Sequence, residues 1–258
     1  MYVHPLLAAH VSDQERKALV KLIELKTFRR NEVVISTDEW TSHVLCVGSG
    51  LLRVTVAGAV AGAEVTTDFL RQDDFFLGDS MHTGRYQSGA SLIAALPSSV
   101  YLVPVAQLHA LCLRFPQLGF ELMQQQVRRT QALRQHLRKV STFPSDVLVG
   151  RIMHDLTHLA PTESGGYDKR ITQAVIASFS GLSREQVNRI LKDMEGRGLI
   201  NKGGGGVEVP DDFGSTDFSM ADFAPLQGPS LAAEPLIDDD VFLQDLDELT
   251  GRPSRPRP

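Results

Sequence analysis

The segment ITQAVIASFSGLSREQVNRILKDM, residues 171–194, predicts two short helices joined by a tight turn. Thr172 and Ser183 belong to the residue types that favour helix N-caps, and each stands just before an apolar pattern of helical period. Gly181 lies between the two patterns and supplies the tight turn that lets the second helix cross the first. We therefore predict a helix-turn-helix within residues 171–200.

The two predicted helices have an inward face and an outward face. The inward face is apolar and consists of Val175, Ile176, Phe179, Val187, Ile190, Leu191 and Met194. The outward face of the second helix carries Arg184, Glu185, Gln186, Asn188, Arg189 and Lys192. Arg184, Glu185, Asn188 and Arg189 share one stripe near the N-terminus of that helix, where a recognition helix meets base edges. An Arg can bond guanine O6 and N7, and a Glu accepts from a cytosine amine, so DNA binding is favoured over an ordinary solvated Arg–Glu surface.

Four glycines at residues 203–206 predict a β-hairpin directly after the second helix. This hairpin adds a wing to the motif, and Lys202 beside it can reach a DNA phosphate. The predicted DNA-binding residues are Thr172, Ser183, Arg184, Glu185, Asn188, Arg189, Lys192 and Lys202.

The N-terminal part of the chain shows a different pattern. Short β-rich runs separated by glycines occupy residues 33–35, 44–47, 51–56, 65–70, 92–95 and 100–103. Many short strands with glycine turns favour a small antiparallel barrel or sandwich. Before them, Ser12 and Glu15 form a capping-box pattern, and residues 17–25 predict a short amphipathic helix.

Residues 115–140 predict one long helix with a single imperfect apolar stripe made of Leu118, Met123, Val127, Leu133, Leu137 and Val140. Such a stripe favours packing against a second copy of the chain, although a helix lying across its own barrel would satisfy part of it. The predicted dimerisation residues are Met123, Val127, Thr130, Leu133 and Leu137. The sequence FPSD at residues 143–146 breaks the helix, and Ser145 or Asp146 is expected to cap the next helix, residues 147–159.

The net charge of −5 does not argue against nucleic-acid binding, because the charge is unevenly distributed. Residues 211–258 carry eleven acidic residues and three arginines, so the remainder of the chain is mildly basic. Pro, Gly, Ser and Asp dominate this acidic segment, which favours disorder. Within it, residues 236–249 alternate acids with leucines and other apolar residues. They fit either a helix that forms on an unknown protein partner or a solubilising tail.

Several other classes of protein are disfavoured. The chain shows no signal-peptide pattern and no apolar stretch long enough for a bilayer, so we expect a cytoplasmic protein without membrane association. Cys46 and Cys112 stand apart in apolar contexts and are expected to be reduced thiols. No histidine belongs to a recognisable zinc, nucleophile or P-loop pattern; His154 and His158 are four apart but lack the companion residues. We therefore do not expect an enzyme.

Residues 182–200, LSREQVNRILKDMEGRGLI, resemble the cyclic AMP receptor/fumarate-nitrate regulator (CRP/FNR) family of bacterial transcription factors. The residues at 183–185, Val187, Arg189 and the closing GLI at 198–200 fall at the family's spacing, and GRI at 150–152 resembles the first helix of its winged domain. The resemblance spans about residues 10–210 and implies an α+β fold: an antiparallel β-roll like cyclic-nucleotide-binding domains, a dimerisation helix and a winged helix-turn-helix. It implies a homodimeric transcription regulator, an activator or a repressor, with RNA polymerase as a partner. Arg184, Glu185 and Arg189 would read an inverted repeat with half-sites near TGTGA.

With this resemblance, we expect four regions. They are a β-roll sensor-like domain (1–114), a dimerisation helix (115–143), a winged helix-turn-helix (144–210) and an acidic, disordered tail (211–258).

The effector site departs from the family's pattern. Gly78 and Asp79 keep the family's glycine and acid, but Ser88-Gly89 stands where an Arg-Ser pair is expected, unless Arg85 is displaced into that role. On the long helix, His136 and Leu137 stand where cyclic AMP binders carry hydroxyls. A buried cyclic phosphate needs a cation and hydrogen-bond donors, so we expect a regulator that cyclic AMP does not control. The candidate pocket residues are Gly78, Asp79, Arg85, Ser88 and His136.

Two other possibilities remain for this region. MHTG at residues 81–84 resembles the haem-binding stretch of the family's carbon-monoxide sensors, which would make His82 an iron ligand; an ordinary loop histidine is the favoured interpretation. A ligand-free regulator, or a winged helix that docks a protein partner, is also consistent with the sequence. We expect no cofactor or metal, with a cyclic nucleotide or haem as the disfavoured alternatives.

Overall fold

The computed structural model describes residues 20–59, 62–79, 81–163, 165–203 and 205–214, together with Gln14 and Lys17. The predicted capping box at Ser12 and Glu15 lies outside the described residues. So do residues 18 and 19 of the predicted helix 17–25, and so do residues 215–258, the greater part of the predicted acidic tail.

The N-terminal domain is an antiparallel β-roll, which confirms the predicted fold class. The strands are β1 (Glu24–Phe28), β2 (Val33–Ile35), β3 (Trp40–Thr41), β4 (His43–Ser49), β5 (Leu51–Ala57), β6 (Glu64–Arg71), β7 (Phe75–Phe76), β8 (Tyr86–Gln87), β9 (Ser91–Ala94) and β10 (Ser98–Pro104). Two four-stranded sheets have the strand orders β1-β10-β4-β7 and β2-β9-β5-β6, and β3 pairs with β8. Buried aliphatic residues fill the interior, among them Leu45, Leu52, Leu70, Leu92 and Val100.

Strand β1 corrects the prediction that a helix continues to Leu25. Glu24 lies opposite Leu102 and Phe28 opposite Ser98, so the strand pairs with β10 over its full length. The local pattern of residues 17–25 fits an amphipathic helix. A helix in place of β1 would, however, leave backbone N–H and C=O groups along this edge of β10 without partners. Tertiary pairing therefore overrides the local signal.

A helix that the sequence did not reveal follows the roll. Helix α1 (Val105–Arg114) begins directly after β10, with Pro104 at its N-cap. Val105 and Leu108 are buried together with Leu118 and Leu122 of the next helix. These contacts attach the long helix to the roll.

The long helix α2 (Pro116–Thr142) has two faces, where the sequence predicted one imperfect stripe. The inward face follows an alternating spacing of four and three residues: Leu118, Leu122, Gln125, Arg129, Ala132, His136 and Lys139. The outward face, exposed throughout, holds Phe120, Met123, Val127, Thr130, Leu133 and Leu137. Leu118 therefore belongs to the face on the roll and not to the outward stripe. The predicted dimerisation residues all lie on the outward face.

The inward face of α2 becomes polar towards its C-terminus. Gln125 Nε2 donates to the Asp73 carbonyl at 3.1 Å, and the Arg129 guanidinium binds the Asp68 carboxylate and the Phe75 carbonyl. Lys139 Nζ lies 2.9 Å from Asp155 Oδ2, with both side chains only 4% exposed. Burial raises the pKa of Asp155, and the neighbouring Lys139 ammonium opposes that shift.

The C-terminal domain is a winged helix-turn-helix. Its elements are α3 (Ser145–Leu159), β11 (Tyr167–Asp168), α4 (Gln173–Ser180), α5 (Arg184–Gly196), β12 (Asn201–Gly203) and β13 (Gly206–Glu208), with the strand order β11-β13-β12. Helix α3 begins at Ser145, two residues before the predicted start, and Pro144 holds the N-cap position in place of Ser145 or Asp146. A 3-10 turn, Asp211–Gly214, follows the wing and packs Phe213 against the domain core. Among the described residues, no helix combines the length and the apolar character needed to cross a bilayer.

The buried pair between α2 and α3 gives a stability prediction. Lys139→Met leaves the Asp155 carboxylate buried without its partner, so the free energy of unfolding should fall by about 3–5 kcal/mol. Chemical denaturation in urea measures this change. The double variant Lys139→Met/Asp155→Leu should recover most of the loss, because no unpaired charge remains. The control Glu24→Gln breaks the exposed Glu24–Lys26 pair and should change stability little. Equal losses in the single and double variants would show that the pair itself does not matter.

Candidate nucleic-acid interface

The two helices of the motif cross at a glycine turn, as predicted. Gly181 has a φ of 72°, the left-handed region that favours glycine, and it ends α4. Val175, Ile176 and Phe179 of α4 are buried in the same core as Val187 and Leu191 of α5. The predicted core residue Met194 is also buried, and Ile190 is partly buried. The core therefore fixes how α5 lies on α4.

Helix α5 begins with a capping box that holds its N-terminus in place. Ser183 Oγ accepts from the Gln186 backbone N–H at 3.2 Å, and Gln186 Oε1 accepts from the Ser183 N–H at 2.9 Å. Thr172 occupies the N-cap position of α4 without a side-chain capping bond. The exposed hydroxyl of Thr172 therefore keeps its hydrogen-bonding capacity for another partner.

The outward face of α5 is strongly polar. Arg184, Glu185, Arg189 and Lys192 are all exposed. Asn188 differs from them: it is half-buried, and its Oδ1 accepts from Gln173 Nε2 of α4 at 3.3 Å. Four of the predicted residues thus face solvent, while Asn188 is held by the other helix of the motif.

The wing lies against helix α5. Lys202 of β12 forms an ion pair with Glu195 near the end of α5, and both side chains are exposed by more than 40%. A cleft of about 550 Å³ between the wing and the two helices is lined by Thr172, Gln173, Arg184, Lys202 and neighbouring residues. This cleft has a basic rim, because Lys169, Arg184 and Lys202 all border it.

Helix α4 is also attached to the β-roll. Ser178 Oγ accepts from the Thr66 backbone N–H at 2.8 Å and donates to the Glu64 carbonyl at 2.8 Å. The Phe179 ring meets the Phe69 ring edge-on at 5.0 Å between centroids. On its other side, Phe179 stacks on His136 of α2 at 3.7 Å. We call this contact between α4, β6 and α2 the α4 seam.

His136 therefore lies in the α4 seam, although we predicted it as a pocket residue. His136 Nε2 is 2.9 Å from the Phe179 carbonyl, an arrangement in which Nε2–H donates. Burial lowers the pKa of His136 to about 4, so the imidazole is neutral at ordinary pH.

The other candidate pocket residues lie around the β7–β8 connection. The Tyr86 ring packs so closely on Gly78 that a Cβ there would clash with the ring. Ser88 is 1% exposed and its hydroxyl donates to the Ala90 carbonyl, while Asp79 is exposed. The Arg85 guanidinium lies 5.1 Å from the centre of the exposed Trp40 ring. The backbone of His82 belongs to the 3-10 turn Met81–Thr83, and its side chain is outside the described part of the chain.

Comparisons with known proteins identify this arrangement. Residues 150–212 match the family model described as the Crp-like helix-turn-helix domain. The cAMP-activated global transcriptional regulator CRP of Pasteurella multocida is 30% identical over 148 residues, which are 55% of this chain and 69% of that protein. The chain belongs to the CRP/FNR family of transcription regulators. This CRP/FNR protein is a transcriptional regulator with a DNA-binding helix-turn-helix, and not an enzyme.

Two further comparisons cover more of the chain. The "Probable transcriptional regulator flp" of Lacticaseibacillus casei is 25% identical over 213 residues, 79% of this chain and 90% of that protein. The structure of FixK2 from Bradyrhizobium japonicum has a TM-score of 0.64 at 17% identity, covering 73% of this chain and 92% of that one. The similarity to FixK2 shows the shared fold.

Sequence reasoning missed the residues that position the interface in this CRP/FNR regulator. The sequence could have predicted a positioning role for Gln173, since it is the first residue after the N-cap of α4 and therefore lies at the motif's edge. It could not have predicted the contact between Ser178 and Thr66, because these residues are 112 positions apart and belong to different domains. The Lys139–Asp155 pair is equally hidden, because both residues look like solvent-facing charges on amphipathic helices.

The α4 seam gives a pH prediction. The folded protein holds the pKa of His136 near 4, below the unfolded value of about 6.5. Between these two pH values the unfolded chain therefore binds a proton at His136 that the folded protein does not bind. The stabilisation is complete above about pH 6.5 and should be lost as the pH falls towards 4, by about 2–3 kcal/mol. His136→Gln keeps a donor for the Phe179 carbonyl but cannot titrate. Its free energy of unfolding, measured in urea from pH 7 to 4.5, should therefore fall less steeply than that of the wild type. Parallel curves would refute this assignment, because His136 is the only ionisable group in which the two proteins differ.

Proposed function

We propose that this regulator acts as a homodimer that reads an inverted-repeat operator, with half-sites close to TGTGA, and that cyclic AMP does not control it. One observation carries the proposal: α5 exposes Arg184, Glu185 and Arg189 on one side while Val187 and Leu191 bury the other. A polar stripe near the N-terminus of the second helix is what a helix in the major groove presents to base edges.

The reading residues match the chemistry of such a half-site. Arg184 and Arg189 each offer a planar fork for guanine O6 and N7, and Glu185 accepts from a cytosine amine. Neither arginine has an ion pair within the described part of the chain, so DNA does not have to displace a carboxylate from them. The two strands of TGTGA supply both guanines and cytosines to these side chains.

Four of the remaining predicted residues serve the phosphate backbone in this proposal. The Ser183 oxygen accepts the capping bond, and its O–H remains able to donate to a phosphate oxygen. Thr172 and Lys192 are exposed on the same motif. Lys202 reaches a phosphate by breaking its ion pair with Glu195. Breaking this pair costs little, because it is exposed and therefore weak.

The outward face of α2 is the proposed dimer interface. Phe120, Met123, Val127 and Leu137 are each between 52% and 65% exposed, and Leu133 is 39% exposed. Phe120, Met123, Val127, Thr130 and Leu137 follow the heptad spacing of two helices that pack along their length. A second copy is the occupant that suits an inverted repeat, because a two-fold axis presents two identical reading helices.

The cyclic AMP independence is proposed from the β7–β8 connection. A buried cyclic phosphate needs a cation and free donors, yet the Ser88 hydroxyl already donates to Ala90 and Arg85 lies over an exposed ring. His136 is bonded to Phe179 in the α4 seam. As for partners, we propose that the operator-bound dimer acts on RNA polymerase.

The reading face gives a direct test of DNA recognition. Arg184→Ala and Arg189→Ala should each weaken binding to the selected operator by about 10- to 100-fold, because each removes a bidentate base contact. Fluorescence anisotropy with a duplex selected from a random pool, at a fixed salt concentration, measures the change. Adding cyclic AMP should leave all of these affinities unchanged.

Lys26→Ala is the control for this experiment, since it removes an exposed positive charge that lies on strand β1 of the β-roll and not on the motif. Its affinity should stay close to that of the wild type. Wild-type affinity and sequence preference in both arginine variants would show that the base-reading assignment is wrong. A gain in affinity with cyclic AMP would overturn the proposed independence.

The outward face of α2 gives a separate test of assembly. Met123→Glu with Val127→Glu places charges in the centre of the proposed interface, so the dimer should dissociate to monomers. Sedimentation equilibrium measures the mass, and Gln124→Glu, an exposed position on the same helix but outside the stripe, should remain dimeric. A double variant that stays dimeric would place the interface elsewhere.

A further inference from the structure

A single polar contact joins the two helices of the reading motif. Gln173 Nε2 of α4 donates to Asn188 Oδ1 of α5 at 3.3 Å, and both residues are half-buried. Asn188 lies one turn after Arg184 on α5, and Gln173 lines the same wing cleft as Arg184. The contact is therefore beside the residues that face DNA.

The chemistry of an amide makes the direction of this contact important. A carboxamide has an oxygen that accepts and a nitrogen that donates, at opposite corners of one plane. When Asn188 Oδ1 is turned towards Gln173, its Nδ2 is the corner turned away from α4. Adenine is read by an asparagine that offers both corners, whereas guanine O6 or N7 and thymine O4 need only a donor.

We propose that Gln173 is a positioning residue that sets the base preference of Asn188. It holds the Asn188 amide with Nδ2 directed to DNA, so that α5 selects guanine or thymine at one operator position. This inference rests on the proposed function, since α5 must lie in the major groove for Asn188 to meet a base.

The contact is not needed to hold the helices together. Val175, Phe179, Val187 and Leu191 already pack α4 on α5 in the domain core. A half-buried amide pair contributes little beside that apolar core. Substitution of Gln173 by a residue of similar shape should therefore leave the fold intact while changing the direction of the Asn188 amide.

Gln173→Glu is the variant that separates these effects. A glutamate at this position can only accept, so Asn188 must present Nδ2 to it and turn Oδ1 towards DNA. An outward oxygen accepts from a base amine, which adenine and cytosine have in the major groove. Sequences selected from a random duplex pool should then switch from guanine or thymine to adenine or cytosine at one position, with the ratio changing by about tenfold.

The matched control is Gln186→Glu. It adds the same charge near the same end of the motif and preserves the capping box, because a glutamate oxygen still accepts from the Ser183 N–H. It should lower affinity for all sequences without switching a base. Asn188→Ala should abolish the preference at the affected position, and Gln173→Glu added to it should cause no further switch. Circular dichroism confirms that each variant is folded.

The outcomes separate the role of Gln173 from the proposed function of the protein. A base switch at one position in Gln173→Glu, absent in the Asn188→Ala background, supports the inference. Enrichment of the same operator by wild type and Gln173→Glu, with affinity lowered uniformly, overturns the inference alone. A pool that yields no enriched inverted repeat, together with an Arg184→Ala variant that binds like the wild type, overturns the proposed function and this inference with it.

Discussion

The buried ion pair between Lys139 and Asp155 is the constraint on which the arrangement of the C-terminal domain depends. Both groups lose their water, and the cost is offset only when the two charges meet in good geometry. The end of α2 and the middle of α3 must therefore keep one relative position. Since α3 packs in the same core as α4 and α5, the pair relates the long helix to the reading helix. An apolar contact would tolerate sliding that a buried pair does not.

The α4 seam adds a second attachment with a different character. The Lys139–Asp155 pair links α2 to α3, whereas the seam links α4 to β6 through Ser178 and to α2 through Phe179. The first helix of the motif is thus held by the roll, and the second is left free to face DNA. The hydrogen bonds and ring contacts of the α4 seam each contribute about 1 kcal/mol. Phe69 of β6 and Phe179 of α4 belong to the same buried apolar cluster as Val187 and Leu191, so the seam is continuous with the core of the winged domain.

The parts that sequence predicts are those whose cause is local. Gly181 predicts the turn and Ser183 predicts the cap of the next helix from a few neighbouring residues. The β-rich runs between glycines likewise predict the strands of the roll. The parts that it misses are decided by distant partners. Strand β1 depends on β10, and the two faces of α2 can be separated only when the roll that covers Leu118 is known. The Gln173–Asn188 contact needs the helix crossing, which no local pattern contains.

The same distinction explains how an acidic chain can carry a DNA-reading surface. Charge acts over about 8–10 Å at physiological salt, so the acids that give the chain its net charge of −5 matter only where they lie near the interface. On α5, Arg184, Arg189 and Lys192 project from a helix whose nearest acid on the reading stripe is Glu185, itself suited to a cytosine amine. Lys202 is neutralised in place, and its partner Glu195 stands at the far end of α5. In the proposed function, recognition depends on the local charge pattern of α5, which the net charge of the whole chain does not describe.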